Sequence, residues 1–179
     1  MNFILTLNNH FSKKWCDDMI QYFESNEQLH QKGFQGENGR LDNTEISLDV
    51  FKINLIDKIN EGLSYYIKQY PLISTNIGPW QIFKTCQLMK YTPGQSYSIE
   101  HCEHGVSSDK EGFKRIIAWQ INLNTIEDFG GTWFSHFDHT ITPIQGSLSF
   151  WPAAWTHMHK GLVAPKEDKY IITGWYNYE

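Results

Sequence analysis

Two clusters of metal-ligating side chains stand far apart in the chain, His101-Cys102-Glu103-His104 and His157-Met158-His159. On a strand, alternate side chains share a face, so His101 and Glu103 would point together and Cys102 away. One imidazole and one carboxylate placed in this way can take two adjacent positions on a metal. An HxE pair by itself is a common chance event. A histidine from the second cluster adds specificity, because two histidines and one carboxylate form the facial triad of non-haem iron(II) oxygenases. That set leaves coordination positions open for a co-substrate and dioxygen. His157 and His159 share strand parity, so alternation does not choose between them.

Lys169 lies ten residues beyond His159 and opens the segment Lys-Tyr-Ile-Ile-Thr-Gly-Trp. Lys169 and Thr173 are four apart and share a strand face. A buried cation beside a hydroxyl suits the far carboxylate of a dicarboxylate. The ordinary alternative is a solvated surface lysine.

The elements that would position these residues fall into two halves. Up to about residue 79 the apolar pattern is helical. Trp15, Met19, Ile20 and Phe23 form one stripe within Phe11–Phe23, with Ser12 as N-cap. Phe51, Leu55, Ile59, Leu63 and Tyr66 form another within Asp49–Tyr70, which Pro71 stops. The polar, Gly-rich stretch Gln31–Asn43 reads as a loop. From about Trp80 the pattern becomes short and alternating, with strands expected at Gln81–Tyr91, Lys114–Leu123, Thr132–Phe134, Ser147–Trp151 and Tyr170–Tyr176. The metal clusters would lie among them. Short strands divided by Pro and Gly turns indicate a sandwich or jelly roll. The chain reads as one domain over 1–179, with helical support in 1–79 and most of the β core in 80–179.

Composition narrows the function. A chain of 179 residues is long enough for a real core, and a 15% share of aromatic residues suits a broad apolar interior or a lined cavity. A net charge of −5 argues against a general nucleic-acid binder, so no nucleic-acid partner is expected. Three widely spaced cysteines make neither a disulfide framework nor a CxxC zinc site, which points to a reduced, intracellular setting. MNFILTLNNHF does not read as a signal peptide. No apolar run approaches the roughly 20 residues of a membrane span, so no membrane partner is expected.

Several blocks from about Gln87 to Tyr176 resemble, in order, the prolyl 4-hydroxylase branch of the iron(II)/2-oxoglutarate oxygenases, particularly its small bacterial and phage-type members. YTPGQSY (Tyr91 to Tyr97) is similar to the strand before the metal motif, and HCE to the HxD/E motif itself. RIIAWQINLN (Arg115 to Asn124) resembles the Arg-led strand that follows. GGTWF (Gly130 to Phe134), PIQGSLSFWP (Pro143 to Pro152) and HKGLVAPKEDKYIITGW (His159 to Trp175) resemble the later blocks. Glu103 is a departure, standing where many members have aspartate.

The resemblance implies a double-stranded β-helix, a distorted jelly roll of α+β class with a mainly β core and bracing N-terminal helices. It implies iron(II) held by His101, Glu103 and His159. The family's ten-residue step to a basic residue selects His159, since the same step from His157 lands on Glu167. His157 is then expected to line the pocket or orient a ligand. Lys169 would pair with the distal carboxylate of 2-oxoglutarate, Tyr91 and Thr173 would hydrogen-bond it, and Trp175 would line its pocket. Gln120 and Asn122 share the face expected to point into the barrel, where a turn-capping role for Asn122 is the alternative. Arg115 and Lys166 are the rivals of Lys169, and Asp138 and Glu100 those of Glu103.

The implied reaction is hydroxylation of an unactivated C–H bond with dioxygen and 2-oxoglutarate, ascorbate being a possible supporting reductant. By family analogy the substrate is peptidyl proline, in the cytoplasm of a bacterium or a phage-infected host. The alternatives are a free amino acid, another side chain or a small metabolite as substrate, a non-catalytic jelly-roll binding module, and a zinc hydrolase.

Overall fold

The structure is a computed structural model that describes residues 1–33, 43–75, 77–97, 99–105 and 110–179. Two helices and eleven strands occur among the described residues. Helix α1 spans Lys13–Glu24, and the Ser12 side chain caps it by accepting the Trp15 N–H. Helix α2 spans Ile56–Gln69, with Ile59, Gly62, Leu63 and Tyr66 on its buried stripe.

The expected start of the second helix at Asp49 is corrected. Residues 44–49 are a strand, 50–54 are turns, and Phe51 is half exposed. Thr44–Asp49 alternates Ile46 and Leu48 with Glu45 and Ser47, and pairing along an existing strand outweighs a helical start. The loop expected over Gln31–Asn43 is corrected at its beginning, where Gln31–Lys32 is a strand, and its middle lies outside the described residues.

In chain order the strands are β1 (Leu5–Leu7), β2 (Gln31–Lys32), β3 (Thr44–Asp49), β4 (Trp80–Ile82), β5 (Thr85–Tyr91), β6 (Arg115–Asn122), β7 (Thr132–Phe134), β8 (His139–Ile141), β9 (Leu148–Pro152), β10 (His159–Gly161) and β11 (Lys169–Tyr178). The single strand expected over Gln81–Tyr91 is thus two. The major sheet runs β1-β9-β6-β11-β5-β3-β2, and β4 pairs with the far end of β11. The minor sheet is β10-β7-β8. Every described pairing is antiparallel. Two helices on a mainly β body of this kind make the expected double-stranded β-helix. Residues 1–79 therefore supply three strands of the major sheet as well as both helices.

The two faces of the major sheet differ in chemistry, because side chains alternate across it. Ile46 and Leu48, Cys86 and Leu88, Ile117, Trp119 and Ile121, Leu148 and Phe150, and Ile172 and Tyr176 all belong to the core shared with the helices. Burying each large apolar side chain of this set stabilises the fold by about 1.5–3 kcal/mol. Gly62 and Gly174 permit close approaches within this core. A Cβ at Gly62 would lie 2.5 Å from Leu148 Cδ2, and one at Gly174 would lie 2.3 Å from the Trp119 indole. The opposite parity, including Gln87, Met89, Tyr91, Gln120, Trp151, Lys169, Thr173 and Trp175, faces an internal cavity. One apolar face thus anchors the sheet and frees the other for polar residues. Among the described residues, no helix is long and apolar enough to cross a membrane.

Candidate metal centre and cavity

His159 begins β10, and its backbone exchanges hydrogen bonds with His101, His101 N–H to His159 O at 2.9 Å and the reverse at 2.8 Å. This isolated bridge brings the two distant clusters together. Glu103 is not on a strand, as HCEH was expected to be, but in the bend after the bridge. Its N–H and that of His104 both donate to Ala153 O, at 3.1 and 2.9 Å. The loop after β9 therefore holds the turn, and Glu103 joins His101 by tertiary pinning rather than by strand alternation.

His101, Glu103 and His159 each offer a ligand atom, all within 4.8 Å of one another. Glu103 Oε1 lies 3.6 Å from His101 Nε2 and 3.4 Å from His159 Nε2. His101 Nδ1 sits 3.0 Å from Ile99 O, and His159 Nδ1 sits 2.8 Å from His157 O. A carbonyl only accepts, so each Nδ1 carries the proton and donates, leaving each Nε2 lone pair free toward Glu103. Burial works to raise the Glu103 carboxyl, but His101 and His159, donating to it when their Nε2 atoms carry protons, outweigh burial and hold the group well below the usual carboxylate range; a metal would take the place of those protons. Two imidazole lone pairs and a buried carboxylate oxygen at one point form a donor set that fits a divalent transition metal. Tyr97 packs at a tilt against His101, ring centres 3.9 Å apart, and Trp151 meets His159 edge-on at 5.3 Å.

The centre opens on a cavity of about 350 Å³, of the size that takes a small cofactor. On its β11 wall, Lys169, Ile171, Thr173 and Trp175 follow one another, with Trp175 at the metal end and Lys169 at the other. Lys169 is 5% exposed and has no ion-pair partner among the described residues. Burial pushes its ammonium down to about 8. Its Nζ lies 5.8 Å from the centre of the Tyr91 ring, across the β5–β11 pair. Tyr91 lines the same end, its hydroxyl 3.5 Å from Met89 Sδ. Thr173 lines the cavity but donates its hydroxyl to Trp119 O at 3.0 Å.

Gln120 and Asn122 part company. Gln120 lines the cavity, while Asn122 lies behind it, accepting from Gln120 Nε2 at 3.0 Å and donating to Ser147 Oγ at 2.9 Å. Asn122 thus fixes the Gln120 amide rather than facing a ligand. Of the rival residues, Lys166 is exposed and pairs with Asp128, Glu100 lies against Lys160, and Asp138 accepts from the Trp133 indole. Arg115 is inside the cavity, against Glu103. Glu45, Gln87 and Met89 also line it, and the sequence reading passed over them. Their signal was present, since Gln87 and Met89 share strand parity with Tyr91, and Glu45 alternates with the apolar Ile46.

Glu103→Ala should abolish oxygenase turnover, and Glu103→Asp should retain part of it, because the shorter side chain keeps a hard oxygen ligand. A steady-state assay of succinate release checks both variants, and full activity in Glu103→Ala would overturn the assignment of this carboxylate.

Comparison with known proteins gives a consistent picture. The family model of the 2OG-Fe(II) oxygenase superfamily matches residues 86–177. No curated protein matches the sequence. Among solved structures, the viral collagen prolyl hydroxylase of Paramecium bursaria Chlorella virus-1, as its 2OG complex, superposes with a TM-score of 0.74 at 19% identity, covering 99% of this chain and 97% of the viral one. A Pseudomonas putida prolyl-4-hydroxylase gives 0.73 at 14% identity, covering 100% and 94%. A Trichoplax adhaerens prolyl hydroxylase, in complex with a hypoxia inducible factor oxygen degradation domain peptide fragment, gives 0.71 at 16%, covering 99% and 84%.

Proposed function

The chain belongs to the 2OG-Fe(II) oxygenase superfamily, and from that premise we propose that it hydroxylates a prolyl residue of a peptide at a centre formed by His101, Glu103 and His159. It is a dioxygenase that uses iron(II) and 2-oxoglutarate. Bound iron(II) supplies the oxidising chemistry, in which dioxygen converts 2-oxoglutarate to succinate and carbon dioxide and leaves one oxygen atom on the substrate C–H bond.

The observation that carries the residue assignment is the pairing of two features in one cavity. A converging His101–Glu103–His159 donor set lies at one end, and a buried lysine with no ion-pair partner among the described residues lies at the other. A five-carbon dicarboxylate suits that arrangement. Lys169 would take its distal carboxylate by a charge-assisted hydrogen bond, with Tyr91 beside it. Met89, Ile171 and Leu162 would exclude water from the carbon chain between.

Two exposed aromatic residues near the candidate ligands favour a peptide substrate. Ala153 O holds the turn of Glu103 and His104, so the next exposed aromatic, Trp155, stands beside the metal loops. Phe113, 60% exposed, packs edge-on against His104 on the same turn. Exposed aromatics on the loops beside the candidate ligands suit an extended chain better than an enclosed metabolite.

Proline-containing peptides incubated with the protein, iron(II) and 2-oxoglutarate should gain one oxygen atom on proline, with matching succinate. Trp155→Ala should raise the KM for peptide on the order of tenfold, while decarboxylation without peptide stays unchanged. Turnover with free amino acids or metabolites but with no peptide would overturn the substrate assignment.

A further inference from the structure

We propose that Trp175 and Arg115 are positioning residues that clamp the Glu103 carboxylate, so that one oxygen alone is presented to the metal. This rests on reading Glu103 as a ligand. It assigns to Trp175 a task beyond lining the cavity.

The two oxygens of Glu103 have different partners. Oε1 faces both histidine Nε2 atoms, at 3.6 and 3.4 Å. Oε2 accepts the Trp175 indole N–H at 2.8 Å and an Arg115 Nη1–H at 3.3 Å. The same Arg115 nitrogen donates to the Glu103 backbone carbonyl at 3.3 Å, and the guanidinium lies 3.7 Å over the Trp175 ring. The indole is therefore held in plane by the cation above it, and the carboxylate is held by both. With its N–H donated to Ala153 O at 3.1 Å, Glu103 is fixed at its backbone and at its far oxygen.

The clamp answers a freedom that is larger in glutamate than in aspartate. The glutamate side chain has one more rotatable bond than aspartate, and a free rotor would offer the metal either oxygen, or both. Withdrawing Oε2 into two charge-assisted contacts removes that freedom. The backbone makes the arrangement possible through an irregularity. The β6–β11 register shifts between Tyr176 and Asn177, so that Tyr176 faces Ile117 but Asn177 faces Arg115. Regular alternation from Ile117, Trp119 and Ile121 would send Arg115 toward the helices. The skipped residue brings it onto the cavity face, diagonal to Trp175.

The test uses cobalt(II) as a spectroscopic metal in the full chain without substrate. Trp175→Phe keeps the ring beneath Arg115 but removes the N–H. It should weaken cobalt(II) binding roughly 10–100-fold and alter the ligand-field absorption, because the carboxylate binds differently. Arg115→Met leaves Trp175 but removes the cation that holds it, and should change affinity and spectrum in the same direction to a smaller extent. His101→Ala, a loss of one ligand, should abolish detectable binding. Wild-type affinity and spectrum in Trp175→Phe, with His101→Ala unable to bind, would overturn the clamp and leave the ligand assignment standing. Retained binding in His101→Ala would instead overturn the ligand assignment. Should Trp175→Phe not fold, Arg115→Met decides by the same two readouts, an unchanged spectrum and affinity counting against the clamp.

Discussion

His159→Ala should lose iron-dependent turnover outright, whereas His157→Ala should still decarboxylate 2-oxoglutarate at a reduced rate. The two histidines are neighbours with the same strand parity, yet their rings do different work. His159 Nε2 faces Glu103 Oε1 at 3.4 Å, so alanine there removes a donor from a set of three. The His157 ring points away. Its Nε2 sits 2.8 Å from Asn2 O and its Nδ1 2.9 Å from Thr156 Oγ1, and it packs on Phe137 at 5.0 Å. Burial lowers its pKa, and a neutral ring donating from Nε2 to Asn2 and accepting at Nδ1 satisfies both contacts. What His157 gives the metal centre is its backbone carbonyl, which holds His159 Nδ1 at 2.8 Å, and alanine keeps that carbonyl. The loss of the Asn2 anchor should loosen the loop that carries His159, costing roughly 1–3 kcal/mol of stability and up to about a hundredfold in rate. Succinate release and thermal melts of the two variants check this. Iron-dependent turnover that survives in His159→Ala and vanishes in His157→Ala would sink the assignment.

Lys169→Met should weaken 2-oxoglutarate binding while making the ligand-free protein more stable. Loss of a charge-assisted contact in a buried pocket costs about 1.5–3 kcal/mol, on the order of 10- to 150-fold in Kd. The stability gain comes from the same burial. The ammonium is moved from its ordinary 10.5 down to about 8 by desolvation alone, so the folded, ligand-free protein carries a cation it would be better without. Below pH 8 that penalty is fully present and amounts to roughly 3 kcal/mol. As pH rises from about 8 toward 10.5 the folded protein sheds the proton before the unfolded chain does, and the penalty disappears. Met keeps most of the volume and removes the charge at every pH. The melting temperature of ligand-free Lys169→Met should therefore exceed that of the wild type by several degrees at pH 7, and the gap should close above pH 10. Wild-type affinity for 2-oxoglutarate should fall as pH rises past about 8, a dependence the variant lacks. An unchanged Kd in the variant would transfer the anchoring role to another cation of the cavity, and a variant less stable at pH 7 would show that Lys169 has a partner in the folded chain. Iron(II) affinity without 2-oxoglutarate should be the same in both proteins.

The sequence by itself determined what depends on local periodicity and on residue chemistry. Alternation along Lys169–Trp175 placed Lys169, Thr173 and Trp175 on one strand face, and the structure has all three on the cavity wall. The α1 stripe and its Ser12 cap were legible because a helix closes its hydrogen bonds within a few residues. Ordered blocks between Gln87 and Tyr176 carried the family, and the family model covers nearly the same stretch. Tertiary structure decided what needed a distant partner. Residues 44–49 became a strand rather than the start of α2 because β5 offers a pairing edge along their whole length. Glu103 reached the histidines from a bend that Ala153 holds, not from a strand. His157 was turned away by Asn2, 155 residues distant in the chain. Asn122 fell behind Gln120 because Ser147 captured its amide. Arg115 entered the cavity only because one residue is skipped between β6 and β11. Period-two alternation predicts a side chain's face only while the ladder stays regular, and a bulge, a bend or a captured polar group is set by the strand on the other side, which local sequence does not contain.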